Sequence, residues 1–310
     1  MKKPASLKKG DLISLVAPSG SFTESRFQRG KELIEKYGFR VCYDRRIFDK
    51  KRYLAGDGET RAEIINNAFK DKEVKGVIAV RGGFGACQVL PHLDFEMIGK
   101  NVKVFCGSSD VTLLNTAFEQ RCGMVNFYGP MPGGNMVVKD YNEEFSFFFE
   151  MMNNGNDILV GKKEGIKFLR SGKTTGRLTG GCLSVINSAI GTKWEIETEG
   201  KILFLEDVGE APYRIERMLW QLDEVGKLSR IKGLIIGHLT DMRGRKNEKW
   251  NSIICEVIEE ITKKYNYPVL FSFPVGHGYG SITLPVGGIV EIDSDSEYVK
   301  IKGNSICKRG

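Results

Sequence analysis

The sequence predicts an α/β protein, with a doubly wound parallel sheet in its first half and a second, smaller β-rich α/β domain after it. Three observations carry this. Short apolar runs without polar alternation recur through residues 1–145, and helix-period segments separate them. Such runs fit parallel strands covered on both faces. Near residue 176 the pattern shifts to strands, two amphipathic helices and a closing hairpin.

The elements follow in order. "LISLVAP" (12–18) is the first strand, and Ser21 is placed to cap a helix showing Phe27, Gly30, Ile34 and Tyr37 on one face, with Gly38 ending it. "RVCYD" (40–44) is a second strand, followed by a helix over 59–70 with Ala62, Ile65 and Phe69 on one side. "GVIAV" (76–80) and "VKVFC" (102–106) are further strands. "EEFSFFFEMMNNGN" is an aromatic-rich helix end that gives way to "GKKEG" and "RSGKTTG". Residues 146–175 are therefore expected as a linker between an N-terminal domain, 1–145, and a C-terminal domain, 176–310. The latter holds strands "KILFLE" (201–206), "GLIIG" (233–237) and "PVLFSF" (268–273), helices near 213–226 and 250–264, and a hairpin turning at Asp293–Asp295.

Composition narrows the function classes. Among 310 residues, 46 basic side chains are interleaved with 39 acidic ones, and the knots "DKKR" (49–52) and "RGRKNEK" (243–249) are short. The formal charge of +7 then describes a solvated basic surface, and no nucleic-acid partner is expected. Seven cysteines without a C-x-x-C pair argue against a disulfide framework or zinc site and for a reducing, cytoplasmic compartment. The apolar run Leu12–Ala17 is too short for a signal-peptide core, and no run approaches the ~20 residues of a membrane span, so no membrane partner is expected.

The stretch "VKVFCGSSDVTLL" (102–114) poses the chemical question. A serine on a tight strand-to-helix turn becomes a nucleophile when backbone amides stand ready for the developing oxyanion. In the elbow G-x-S-x-G the first glycine relieves crowding two residues before the serine. Gly107 stands two before Ser109, so Ser109 is the candidate and Ser108 the filler; the second glycine is absent, and Ser109 or Asp110 also suits a helix cap. Of three histidines, His277 in "FPVGHGYGS" has glycines on both sides that free the imidazole to turn. It is favoured over His238 in "IIGHLTD", while His92 in "LPHLD" suits a structural role. Glu206, Asp207 and Glu210 in "LEDVGE" offer the carboxylate that orients a base, with Glu206 at the strand end. "AVRGGFGAC" (79–87) is a strand running into a glycine turn that brings main-chain amides close to a ligand; it does not match G-x-G-x-x-G. "SGKTTG" (171–176) imitates the end of a phosphate loop but has Lys167 where that loop needs glycine, and no clean strand ahead of it. The histidines lie in separate segments without ligand spacing, so neither a metal nor a cofactor is expected.

Taken together, "LISLVAPSG", "VIAVRGGFGA", "VFCGSSDVTLL", "FYGPM", "GRLTGGCLSVINSAIGT", "ILFLEDVGEAPYRIERML" and "FPVGHGYGSITLPVG" resemble, in order, the LD-carboxypeptidase family. These are serine peptidases that include the microcin C immunity hydrolases. The resemblance implies Ser109 as nucleophile, Glu206 as acid and His277 as base, with Glu210 still open for the acid. It implies an oxyanion hole of main-chain amides, placed at Asp110 and in the "RGG" turn, at Gly83 in preference to Gly82. It further implies an N-terminal flavodoxin-like layer, a smaller β-rich C-terminal domain, a triad assembled across their cleft, and homodimers. The implied reaction releases terminal D-alanine from the L,D-amide of a murein tetrapeptide, and Arg81 is a candidate anchor for the free carboxylate. Two positions depart from the family pattern: Ser108 replaces a frequent tyrosine, and Cys182 in "TGGCLS" replaces a frequent asparagine. Two rivals stand beside this reading. One is a microcin-immunity-type enzyme cleaving the amide of a peptidyl or aminoacyl nucleotide, and the other a non-catalytic α/β ligand-binding protein.

Overall fold

The structure is a computed structural model that describes residues 1–134, 142–161, 165–242 and 250–309. The basic stretch "RGRKNEK" (243–249) and the centre of "GKKEG" lie outside the described residues. The chain forms two compact units. The first takes Met1–Asn156, Ile282–Gly287 and Gly303–Gly310, and the second Asp157–Ser281 and Gly288–Lys302.

In the first unit the strands are β1 (Leu12–Val16), β2 (Arg40–Cys42), β3 (Val74–Ala79), β4 (Val104–Gly107) and β5 (Asn126–Tyr128). Between them run α1 (Glu24–Lys36), α2 (Gly58–Lys70), the short α3 (Ala86–Val89) and α4 (Phe95–Lys100), and α5 (Thr112–Cys122). All neighbours in the order β2-β1-β3-β4-β5 pair in parallel. That order is flavodoxin-like, and in such sheets ligands gather at the carboxyl ends of the strands. β3 and β4 are buried almost throughout, which is why they lack polar alternation. The first helix begins after Thr23 rather than at a Ser21 cap, and it buries Phe27, Gly30 and Ile34. Thr23 itself makes no side-chain cap bond.

The stretch expected as a linker is built into both units. Residues 146–154 complete α6 (Asn142–Asn154), whose Phe145, Phe148, Phe149 and Met152 are core residues of the first unit. Beyond Asn156 come two strands, β6 (Ile158–Gly161) and β7 (Lys167–Arg170), at the two edges of the second sheet. Edge strands are half-exposed and short, so their sequence looks like a loop.

The second unit continues with β8 (Lys173–Cys182), α7 (Leu183–Ala189), β9 (Lys201–Val208), α8 (Pro212–Glu224), β10 (Gly233–Thr240), α9 (Trp250–Thr262) and β11 (Val269–Phe271). Strand β12 (Leu284–Val286) returns to the first sheet, antiparallel to β5, and β13 (Ile289–Asp293) and β14 (Tyr298–Ile301) form the closing hairpin. The eight strands lie in the order β6-β14-β13-β8-β9-β10-β11-β7. The run β8-β9-β10-β11 is parallel, and both flanks are antiparallel. Helix α8 buries Ile215, Leu219 and Leu222 against Leu203, Leu205 and Ile254. Each such side chain contributes roughly 1.5–3 kcal/mol of burial. A strand, β7, does precede "SGKTTG", contrary to the sequence expectation; the stretch then runs into strand β8 rather than a helix, so no helix N-terminus faces it. Among the described residues no helix is long and apolar enough to cross a membrane.

Candidate active site

In the first unit the candidate nucleophile sits where β4 becomes a helix. At Gly107 an added Cβ would stand 2.6 Å from Val111 Cγ1 and 3.1 Å from Ala79 Cβ, so only glycine fits. Ser109 then adopts φ +60, a left-handed conformation that costs a non-glycine residue roughly 1–2 kcal/mol. Ser109 N–H donates to the Tyr128 hydroxyl at 2.9 Å. Ser108 and Asp110 are buried and Ser109 is half-buried, so of the three it is Ser109 that reaches the surface. Val111 N–H bonds back to Ser108 O and Thr112 N–H to Ser109 O, which makes Asp110 N–H a first-turn amide aimed out of the helix.

The "RGG" turn after β3 packs directly on this corner. A Cβ at Gly82 would lie 2.8 Å from Ser109 Cβ and 3.3 Å from Asp110 N. Gly82 O accepts from Gly20 N–H at 3.1 Å, so in the planar trans peptide the Gly83 N–H points away from Gly20. Gly83 itself has φ +109. Arg81 is half-buried and donates from Nη1 to Ser21 O at 2.8 Å. Burial lowers the pKa of Arg81, and the neighbouring Arg26 lowers it further.

In the second unit the last part of β9 meets the loop that follows β11. Glu206, on β9, is fully buried, and its Oε2 stands 2.7 Å from His277 Nδ1 and accepts the His277 backbone N–H at 3.0 Å. A buried carboxylate accepts, so Nδ1 carries the proton and Nε2 keeps its lone pair. A Cβ at Gly276, φ +113, would stand 2.7 Å from Glu206 Cδ; glycine there lets the chain close over the acid. Burial works against the imidazolium, but Glu206, with Asp207 and Asp241 behind it, raises the His277 pKa above its ordinary value.

The other candidates have separate duties. His238 Nδ1 is 3.1 Å from Ser281 Oγ, and that hydroxyl also lies 2.9 Å from Gly276 O and 2.8 Å from Gly278 O. Burial lowers the His238 pKa despite Glu206 nearby. Asp207 accepts from the Ser184 and Val208 amides at 2.7 and 2.8 Å, and Glu210 faces Arg214 at 3.5 Å. Cys182 is register partner to Glu206 across β8 and β9, and burial pushes its thiol well up. His92 ends a short 3₁₀ turn, where its carbonyl accepts from Asn66. A cavity of about 510 Å³ has Tyr213, Arg214, Trp250 and Ile253 in its lining and none of the candidate triad or oxyanion residues. Tyr128 and Arg61 (below) are contacts that the sequence reading did not single out; Tyr128 stood in the quoted "FYGPM", whereas Arg61 carried no local signal.

Two family models match the chain: the LD-carboxypeptidase N-terminal domain over residues 13–129 and the C-terminal domain over 175–292. A probable murein peptide carboxypeptidase of Bacillus subtilis is 34% identical, with 92% of this chain and 89% of that protein covered. The chain belongs to the LD-carboxypeptidase family. Among solved structures of the fold, a muramoyltetrapeptide carboxypeptidase from Oxalobacter formigenes matches with a TM-score of 0.82 and 31% identity, covering 94% of this chain and 97% of that one. The microcin C7 self-immunity protein MccF of Escherichia coli is 28% identical, with 96% of this chain and 94% of that protein covered. Its wild-type apo structure matches at 24% identity with a TM-score of 0.89, covering 99% of this chain and all of that one. Membership in the LD-carboxypeptidase family makes this chain a peptidase.

Proposed function

We propose that the protein is a serine-type LD-carboxypeptidase that releases terminal D-alanine from murein tetrapeptides, with Ser109, His277 and Glu206 as its triad. The observation that carries this is the conformation of Ser109, held left-handed at the end of β4 with Gly82 packed on it. Strain of that kind persists where the surrounding structure enforces it, and a reactive serine is a use for it.

The steps follow from the named atoms. Ser109 Oγ attacks the scissile carbonyl while His277 Nε2 takes the hydroxyl proton, and Glu206 holds the imidazolium that forms. The carbonyl oxygen becomes an oxyanion received by the amides of Asp110 and Gly83. The C–N bond breaks as His277 returns the proton to the leaving amine. Water, deprotonated by His277, then attacks the acyl-serine ester and regenerates Ser109.

Arg81 supports action at a free carboxyl end. Among the described residues its hydrogen-bond acceptor is Ser21 O alone, which leaves most of a half-buried, five-donor guanidinium for a ligand. A terminal carboxylate matches that fork bidentately. The identity to a murein-named relative, 34%, exceeds that to the microcin immunity protein, 28%, and favours the muropeptide. Parallel incubation with a murein tetrapeptide and a peptidyl-adenylate amide tests the substrate. Release of D-alanine supports the reading, and cleavage of the nucleotide amide alone contradicts it.

A further inference from the structure

Gly85 and Ala86 share one peptide unit, and opposite charges from different elements hold its two edges. The Gly85 carbonyl accepts from Arg61 Nη1 at 3.0 Å, while the Ala86 amide donates to Asp110 Oδ2 at 2.8 Å. Arg61 comes from α2 and is 2% exposed; Asp110 follows Ser109 and is 4% exposed. The same guanidinium donates to the Pro18 carbonyl just past β1, and from Nη2 to Gln88 Oε1 at 2.8 Å. At Gly85, φ +130, a Cβ would stand 2.6 Å from Arg61 Nη1, so glycine is needed for the approach. The clamp thus ties together the segments leaving β1, β3 and β4, three adjacent strands of the sheet.

Burial lowers the pKa of Arg61, opposed by the charge of Asp110. It raises that of Asp110, opposed by Ser19, the Ala86 amide and Arg61. Two buried charges of this kind are weak devices for stability, since apolar residues of equal volume commonly do as well. What they supply is position.

We propose that Arg61 and Asp110 are a positioning pair that fixes the Gly82–Gly83 turn against Ser109, so that the oxyanion amides keep their spacing. The proposal rests on the serine-hydrolase reading above. Asp110 then works twice: its amide faces the oxyanion, and its carboxylate holds the turn that supplies the other amide. Arg61 touches no substrate and acts through that turn. Misplacing a catalytic group by ~1 Å costs about 100-fold in rate.

The test compares the full chain carrying Arg61→Lys, and the double change Arg61→Met with Asp110→Asn, against wild type on a murein tetrapeptide. The double variant removes both charges together and keeps an oxygen for the Ala86 amide. It is expected to melt near wild type, with kcat down about 100-fold or more, KM within about threefold, and fluorophosphonate labelling slowed in step. Arg61→Lys is expected between the two, and it carries the comparison if the double variant does not fold. Wild-type kcat in either folded variant overturns the positioning role. Ser109→Ala in the same assay separates the two levels. If it stays active, the underlying reading fails; if it is inactive while the double variant keeps full kcat, the positioning pair alone fails.

Discussion

Glu206 Oε2 accepts two hydrogen bonds from one residue, His277 Nδ1 at 2.7 Å and the His277 backbone amide at 3.0 Å. One carboxylate oxygen therefore fixes both the ring and the chain that carries it. Replacing Glu206 by Gln keeps the shape and removes the charge. A loss of about 100- to 10,000-fold in kcat is expected, by analogy with other triads.

The same pair sets a pH dependence. In the proposed mechanism His277 must be neutral to take the Ser109 proton, and its pKa lies above the ordinary 6.5 because burial, which lowers it, is overcome by Glu206 together with Asp207 and Asp241. The acid limb of kcat/KM is therefore expected above that value, and in Glu206→Gln it moves down, since the largest opposition to burial is removed and only the weaker pull of Asp207 and Asp241 remains. Stability follows the raised folded pKa. The contribution of the pair is complete below the unfolded value near 6.5 and is lost as pH rises through the folded one. Urea titrations of wild type and Glu206→Gln at pH 6 and pH 9 check this; a difference that grows at the higher pH contradicts it.

Strain at Ser109 predicts a stability order. Ser109→Gly and Ser109→Ala both lose the hydroxyl, yet glycine adopts φ +60 freely while alanine does not. Ser109→Gly is expected to be more stable than Ser109→Ala by about 1 kcal/mol, with both inactive. Thermal melts decide it, and equal melting temperatures would remove the argument for an enforced conformation.

Arg81 predicts selectivity for a free chain end. Arg81→Met should raise KM for a peptide acid by about tenfold or more and leave KM for the corresponding C-terminal amide nearly unaffected. Equal losses on the two peptides would assign Arg81 to the turn alone.

Much of the first unit was legible because its strands are buried on both faces, and unbroken apolar runs such as "GVIAV" are the pattern such strands leave. The corner at Ser109 was legible too, since Gly107 two residues earlier is a local requirement of a crowded turn. Arg61 was not. In "GETRAEI" it is one helical charge among several, and its partners Pro18, Gly85 and Gln88 are distant in sequence. The strands β6 and β7 were missed for a different reason: at the sheet edges they are short and half-exposed, so hydrophobic pattern is weak there. The proposed choice of Glu206 over Asp207 and Glu210 also lay beyond the pattern. It turns on side-chain direction at the end of β9, where Glu206 faces His277 and Asp207 faces Ser184.

The most direct measurement is mass spectrometry of a murein tetrapeptide before and after incubation with wild-type protein and with Ser109→Ala. The account predicts loss of one D-alanine with wild type, and an unchanged tetrapeptide with a folded Ser109→Ala. Release of D-alanine by the folded variant at the wild-type rate would contradict it.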